Sequence, residues 1–280
     1  MARWRFKFWQ KNRPRVALVR LHGVISPAGS PLRRGLNLEA VEPLLKKAFR
    51  MKGTEAVVLS VNSPGGSPVQ SALIGTRIRQ LARKHDRPVL AFCEDAAASG
   101  GYWLAASADE IYAHASSIIG SIGVISAGFG FPEALAKIGV ERRVYTAGES
   151  KSILDPFQPE KSEDVARLKN LQEDIHRQFI DWVQQRRGSR LAEDGPPLFD
   201  GSFWTGRQAA ELGLVDKLGA MHSVLEEKFG DQLDIVSITP RKRFGLPGMA
   251  AEMRAETAGR AAESLLASAE QRFWWARLGL

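Results

Sequence analysis

The stretch Ala56-Val57-Val58-Leu59-Ser60-Val61 restricts the fold more than any other. It is rich in β-branched residues and shows no alternation of apolar and polar positions, so both faces of the strand it forms must be buried. Such a strand belongs inside a parallel sheet covered by helices on each side. Similar runs occur at Val16–Leu21, at Val89–Cys93 behind Pro88, and at Ile111–Ala113. Helix signals lie between them. Asn37 is placed to N-cap a helix running through Met51, with Leu38, Val41, Leu44, Leu45 and Phe49 at helical spacing. A second helix follows Ser67 and runs to about Lys84. This alternation indicates an α/β fold with right-handed crossovers. No long-period self-similarity suggests a solenoid.

Further along, the spacing predicts a short helix from Pro132, a strand at Arg142–Tyr145 and a loop over 146–158. A long amphipathic helix is expected from Pro159 to Arg187, with Val165, Leu168, Ile175, Phe179 and Val183 on one face. Helices near 205–212 and 219–229 then precede a last strand at Ile235–Ile238.

The net charge of +8 is carried by the two ends. Residues 1–15 hold six basic residues and no acid, and residues 241–280 hold seven basic and four acidic ones. The stretch between them, with 26 basic and 27 acidic residues, is close to neutral. A near-neutral globular part argues against nucleic acid as a partner. The charge therefore divides the chain into a basic aromatic tail (1–15), a near-neutral globular domain (16–240) and a basic, Ala-rich helical tail (241–280). Four of the seven tryptophans lie in the tails. Arg3, Arg5 and Lys7 alternate with Trp4, Phe6 and Phe8, a composition that suits the headgroup level of an anionic membrane. No apolar run is long enough for a signal peptide or a membrane span, so a cytoplasmic protein, peripheral at most on the membrane, is expected. The single cysteine, Cys93, falls in a buried strand and reads as core.

Chemistry centres on Asp95-Ala96-Ala97-Ala98-Ser99-Gly100-Gly101-Tyr102-Trp103. An apolar strand gives way there to helical spacing, which puts Ser99 at a helix start, beside backbone N–H groups that favour negative charge. Taken alone, Ser99 is equally an N-cap. Three glycine turns, Gly65-Gly66, Gly100-Gly101 and Gly120-Ser121-Ile122-Gly123, fall at strand ends, where open α/β sheets build their sites. Two such turns can supply the N–H groups of an oxyanion hole. A serine nucleophile needs a base. Of five histidines, His85 and His176 read as solvated, and His114, just after a strand, is the one candidate. A lysine serves only where burial lowers its pKa from about 10.4 by roughly three units. Lys151, among Gly148, Ser150, Ser152, Ile153 and Leu154, is the lysine candidate.

Five motifs follow one another in order: NSPGGS at 62–67, AASGGYWLA at 97–105, SIIGSIGV at 117–124, GESKSILDPF at 148–157 and FWTGRQAAELGLVDKLG at 203–219. Together they resemble the signal peptide peptidase A family of serine peptidases, similar in fold to the Clp protease and crotonase enzymes. The resemblance covers roughly residues 16–240. It implies a Ser/Lys dyad with Ser99 as nucleophile and Lys151 as general base, and an oxyanion hole from Gly65, Gly66 and the Gly100 N–H. Ser121 or Ser152 would orient the lysine. It implies peptide substrates, remnant signal peptides among them, with no metal or organic cofactor. Short family members look like rings in which one subunit's lysine completes its neighbour's site, so a homo-oligomer is implied too. Two departures stand out: many members have an N-terminal membrane anchor that is not seen here, and Ser152 replaces the acidic residue usual after the lysine. Readings outside this class are a crotonase-like acyl-CoA enzyme, which would use the same glycine turns without needing Ser99 and Lys151 together, and a non-catalytic membrane-associated scaffold.

Overall fold

A computed structural model describes residues 13–27, 35–148, 150–240, 272 and 275–280. The expectations for the aromatic-basic stretch before Arg13, and for an Ala-rich helix over residues 241–271, lie outside the described residues. Eight strands among those described form one sheet. They are β1 (Arg15–His22), β2 (Ala56–Ser63), β3 (Val89–Ala98), β4 (Glu110–Ala113), β5 (Ile118–Gly120), β6 (Phe203–Thr205), β7 (Lys217–Leu218) and β8 (Asp234–Ser237). The path runs β6-β5-β3-β2-β1-β8, with β4 also beside β3 and β7 beyond β4. Neighbours are parallel except β5 and β6, which are antiparallel. This is the α/β sheet of a Clp protease/crotonase-like fold.

The helices are α1 (Leu38–Arg50), α2 (Pro68–His85), α3 (Gly100–Ala105), α4 (Pro132–Lys137), α5 (Ser162–Arg187), α6 (Gly206–Glu211) and α7 (Met221–Phe229). The Asn37 side chain caps α1 as its sequence position predicts, accepting from the Ala40 N–H at 2.9 Å. Alternate residues of the central strands feed two cores. Ala17, Val19, Leu21, Val57, Leu59 and Val61 face the helices α1 to α3. Val16, Leu18, Val58, Leu90 and Phe92 face Val224 and Leu225 of α7. That double covering is why the strands carry apolar residues on both faces.

One element fixes the helix after Ser99. Helix α5 lays Phe179 and Trp182 on Trp103, with ring centroids 4.8 Å and 6.1 Å apart, and the Trp182 indole N–H donates to the Trp103 carbonyl at 3.0 Å. Such ring pairs contribute about 0.5–1.5 kcal/mol each beyond the area they bury. At its far end α5 buries Arg187, which donates to both oxygens of Asp216 at 2.9 and 3.1 Å and to the Gly213 carbonyl at 2.9 Å. Burial works against the Asp216 charge. The bonds from Arg187, the Ile111 N–H and Arg190 outweigh it and hold the carboxyl below its usual range.

The structure departs from the sequence reading at Arg142–Tyr145, which forms no strand. Arg142 instead pairs with Asp155 at 3.3 Å and lies over the Phe157 ring, so this limb meets the returning limb through side chains. None of the described residues of 126–160 is buried, and together they form an arm. It exposes Phe129, Ile138 and Tyr145 at 81%, 71% and 91%.

Candidate active site

Ser99 joins β3 to α3 with φ 51° and ψ −123°. A non-glycine residue costs about 1–3 kcal/mol there and stays only where its surroundings enforce it. Its own N–H donates to the Gly120 carbonyl at 2.7 Å, and its carbonyl accepts from the Trp103 N–H at 3.1 Å. Ser99 occupies the N-cap position of α3 as its sequence place suggests, but its side chain makes no capping bond, and the residue lines the cleft. Small residues allow the tight turn. Ala96, Ala97 and Ala98 are fully buried. A Cβ on Gly100 would lie 2.4 Å from Ser71 Oγ, so a larger residue at the start of α3 would displace the Ser71 side chain.

The Gly65–Gly66 turn closes on the same point. A Cβ on Gly65 would fall 2.7 Å from Ser99 Cβ and 2.9 Å from the Gly100 nitrogen. The Gly65 carbonyl accepts from the Ile25 N–H at 2.8 Å, and the Ser67 N–H donates to the Ile25 carbonyl at 2.7 Å. In a planar trans peptide the N–H points opposite the carbonyl, so the Gly66 N–H turns away from Ile25. The Gly65 N–H goes to Ser63 Oγ at 3.2 Å. Gly66 is therefore the better donor of the pair. The Gly100 N–H, at the first position of α3, has no acceptor within its helix.

Ser99 opens on a cleft of about 410 Å³. Val124, Ile125 and Phe203 give it apolar wall, and Ser121, His176 and Asp200 give it polar wall. Arg277 and Leu278 also line it. Ser121 is held at φ 52°, and its N–H donates to the Ser202 carbonyl at 2.7 Å. The structure thus brings Ser99, Ser121 and the glycine turns together. It does not bring Lys151 or Ser152 to them within one chain. Both sit in a turn of the arm, away from the cleft lining, with Lys151 exposed and Ser152 half-buried.

The histidines read differently in three dimensions. His176 is half-buried rather than solvated, bonds through Nε2 to the Ile122 carbonyl at 3.1 Å and lines the cleft. Its place three residues before Phe179 and seven before Val183 puts it on the packed face of α5, a signal present in the sequence. His114 is exposed and accepts from the Ser116 N–H through Nδ1, outside the cleft lining. Cys93 is buried, and burial pushes its thiol up to about 12, which makes it the inert core residue its position suggests. Among the described residues, no group of three or more His, Cys, Asp and Glu side chains is placed to hold a metal ion. No described helix is long and apolar enough to cross a membrane.

Comparison with known proteins gives this arrangement a setting. Residues 81–232 match the model of peptidase family S49. An Enterococcus faecium protein provisionally named signal peptide peptidase SppA is 31% identical over 76% of this chain and 64% of its own length. A provisionally named protease of Synechocystis is 35% identical over 77% of this chain and 73% of its own length. A Brucella abortus protein named Na+/H+ antiporter NhaA is 52% identical over 95% of this chain. The chain spans only 37% of that longer relative. With the sheet, the strained serine and these matches in hand, the chain belongs to peptidase family S49.

Proposed function

We propose that the protein is an endopeptidase in which Ser99 is the nucleophile and Lys151 of a neighbouring copy is the general base. The observation that carries this reading is the strained, uncapped Ser99 packed against the Gly65–Gly66 turn. The Ser99 hydroxyl forms a bond to the peptide carbonyl carbon as its proton passes to neutral Lys151 Nζ. The Gly66 and Gly100 N–H groups hold the oxyanion. The C–N bond then breaks, and the lysine returns the proton to the leaving amine. Water, activated by the same lysine, attacks the acyl-enzyme and frees Ser99.

The neighbouring copy enters because the arm holds Lys151 in solvent while exposing a run of large apolar side chains. Exposed apolar surface of that kind marks an interaction site. A ring of copies would bury the arms and deliver each Lys151 to the next Ser99, with Ser121 or Ser152 orienting it. Burial there would favour the neutral amine the mechanism needs. The apolar cleft wall suits apolar or small substrate side chains, as in remnant signal peptides and other membrane-derived or small peptides. A longer relative named for an antiporter supports a place beside membrane proteins. We place the protein in the cytoplasm, peripheral on an anionic membrane through its two basic tails.

The test is cleavage of a mixed peptide library read by mass spectrometry, with wild type, Ser99→Ala and Lys151→Ala side by side. Cleavage by wild type that is lost in both variants is the expected result. Persistent cleavage by Ser99→Ala overturns the assignment of the nucleophile.

A further inference from the structure

The two motifs that meet at the site each begin with a polar residue the mechanism above does not use: Asn62 before Ser63-Pro64-Gly65-Gly66, and Asp95 before Ala96-Ala97-Ala98-Ser99. We propose that Asn62 and Asp95 form a clamp that sets the height of Ser99 against the Gly65–Gly66 turn, making them positioning residues for the peptidase reaction. This inference rests on the reading of Ser99 as nucleophile.

The geometry comes from the pairing of β2 with β3. Val61 pairs with Cys93, and the next pair is Ser63 with Ala97. Asn62 alone therefore stands opposite Glu94, Asp95 and Ala96, so β3 carries two extra residues at this point. Both Glu94 and Asp95 are exposed there, where the rest of β3 is buried. Across the same bulge β3 changes neighbours, from β4, which pairs up to Cys93, to β5, which pairs from Ala96. Bulges beside active sites bend a strand and re-aim the side chains beyond the bend. Ser99 lies just past this bend, three residues after Ala96.

An unpaired bulge leaves backbone groups without a ladder partner. The Asn62 side chain supplies one. Its Oδ1 accepts from the Ala96 N–H at 3.2 Å, and its Nδ2 donates to Asp95 Oδ2 at 2.7 Å. One amide thus grips the bulge at two successive residues. Its own backbone is tied as well, because the Asn62 carbonyl accepts from the Gly23 N–H at 2.9 Å. The gripping strand leads directly into Gly65 and Gly66, and the gripped strand into Ser99 and Gly100. The clamp therefore fixes one half of the site relative to the other. A primary amide is suited to this task because it donates and accepts at once.

The test compares Asn62→Ala, Asn62→Asp and the exchanged pair Asn62→Asp/Asp95→Asn, with Ser99→Ala as control. A carboxylate at 62 still accepts from the Ala96 N–H but faces the Asp95 carboxylate. In the exchanged pair the new amide at 95 donates to the carboxylate at 62, so the side-chain bond returns with its donor reversed while the Ala96 N–H still donates to residue 62. A 1 Å misplacement costs on the order of 100-fold in rate. The expected outcome is a fall in kcat of about 10- to 100-fold for Asn62→Ala and Asn62→Asp, with KM within about twofold of wild type. The exchanged pair returns to within about threefold of wild type. Unchanged kcat in Asn62→Ala, no rescue by the exchange, or losses that appear in KM overturns the proposal. Amide hydrogen exchange over residues 94–99 reads the clamp whether or not any peptide is cut. Protection at Ala96 should fall in Asn62→Ala and return in the exchanged pair, and unchanged protection refutes the clamp. Cleavage that persists in Ser99→Ala sinks the nucleophile assignment instead, which separates the two failures.

Discussion

Gly65→Ala tests how closely the two halves of the site are packed. The substitution acts in two ways. Alanine at φ 106° adopts a backbone conformation that costs about 1–3 kcal/mol. The new methyl also falls 2.7 Å from Ser99 Cβ and 2.9 Å from the Gly100 nitrogen. Carbon atoms sit comfortably at about 3.5–4.0 Å, so one of the two turns must retreat by roughly 1 Å. A shift of that size costs on the order of 100-fold in rate, and loss of one oxyanion donor costs about 100- to 1,000-fold. The expected result is a fall in kcat of about 100- to 1,000-fold with a modest fall in stability. Gly230→Ala is the matched control. Its φ of 90° carries a comparable backbone cost, but nothing lies within 4 Å of the added methyl, and it sits beyond α7. Gly230→Ala should lose about 2 kcal/mol, read as roughly 4–8 °C in Tm, and Gly65→Ala at least as much, because its close contacts add to the same backbone cost. Peptide cleavage and thermal melts on the two proteins decide the matter. Equal kcat in Gly65→Ala and Gly230→Ala would show that the Gly65 turn and Ser99 are not packed for catalysis.

Other parts of the structure carry outcomes of their own. Mixing Ser99→Ala with Lys151→Ala subunits should restore part of the lost cleavage, because hybrid contacts join an intact serine to an intact lysine; a mixture as dead as its components removes the neighbouring-copy reading. His176→Asn should keep kcat within about tenfold, since a lysine base leaves the histidine a wall residue, whereas a loss above about 1,000-fold would make His176 the base. Asp216→Asn should cost about 3–5 kcal/mol near neutral pH by leaving the Arg187 charge buried and unpaired. The Asp216 carboxyl is held below its ordinary value of 3.8, so its contribution is present above that pH and lost as pH falls through the lower folded value. Denaturant melts at pH 7 and pH 3 should show the difference between wild type and Asp216→Asn shrinking in acid; a constant difference contradicts the ion-pair account. Cys93 should resist alkylation by iodoacetamide at pH 8 until the protein unfolds, as intact mass would report.

The parts of the fold legible in the sequence are those set by local periodicity and turn chemistry. The apolar runs of β1, β2 and β3 mark buried parallel strands, and Asn37 marks the start of α1. Strands β5, β6 and β7 have only two or three residues each, too few to show a period, and exist because a neighbouring edge is in reach. Arg142–Tyr145 fails for the opposite reason: its residues suit a strand, but its contacts with the returning limb are made by side chains. At the site, Ser99 and the glycine turns are readable because tight turns demand small residues. The two-residue bulge opposite Asn62 is not, since register arises between strands and leaves no mark within either. Lys151 is nameable only through resemblance, because a lysine in an exposed turn carries no chemical signature of its own.

The most direct measurement is reaction of the full chain with a peptidyl fluorophosphonate, then intact mass and peptide mapping. The account predicts one adduct per chain, on Ser99, formed by wild type and absent from Ser99→Ala, with Lys151→Ala reacting far more slowly. An adduct on any other residue, or labelling that Ser99→Ala leaves unchanged, contradicts the assignment of Ser99 as the nucleophile.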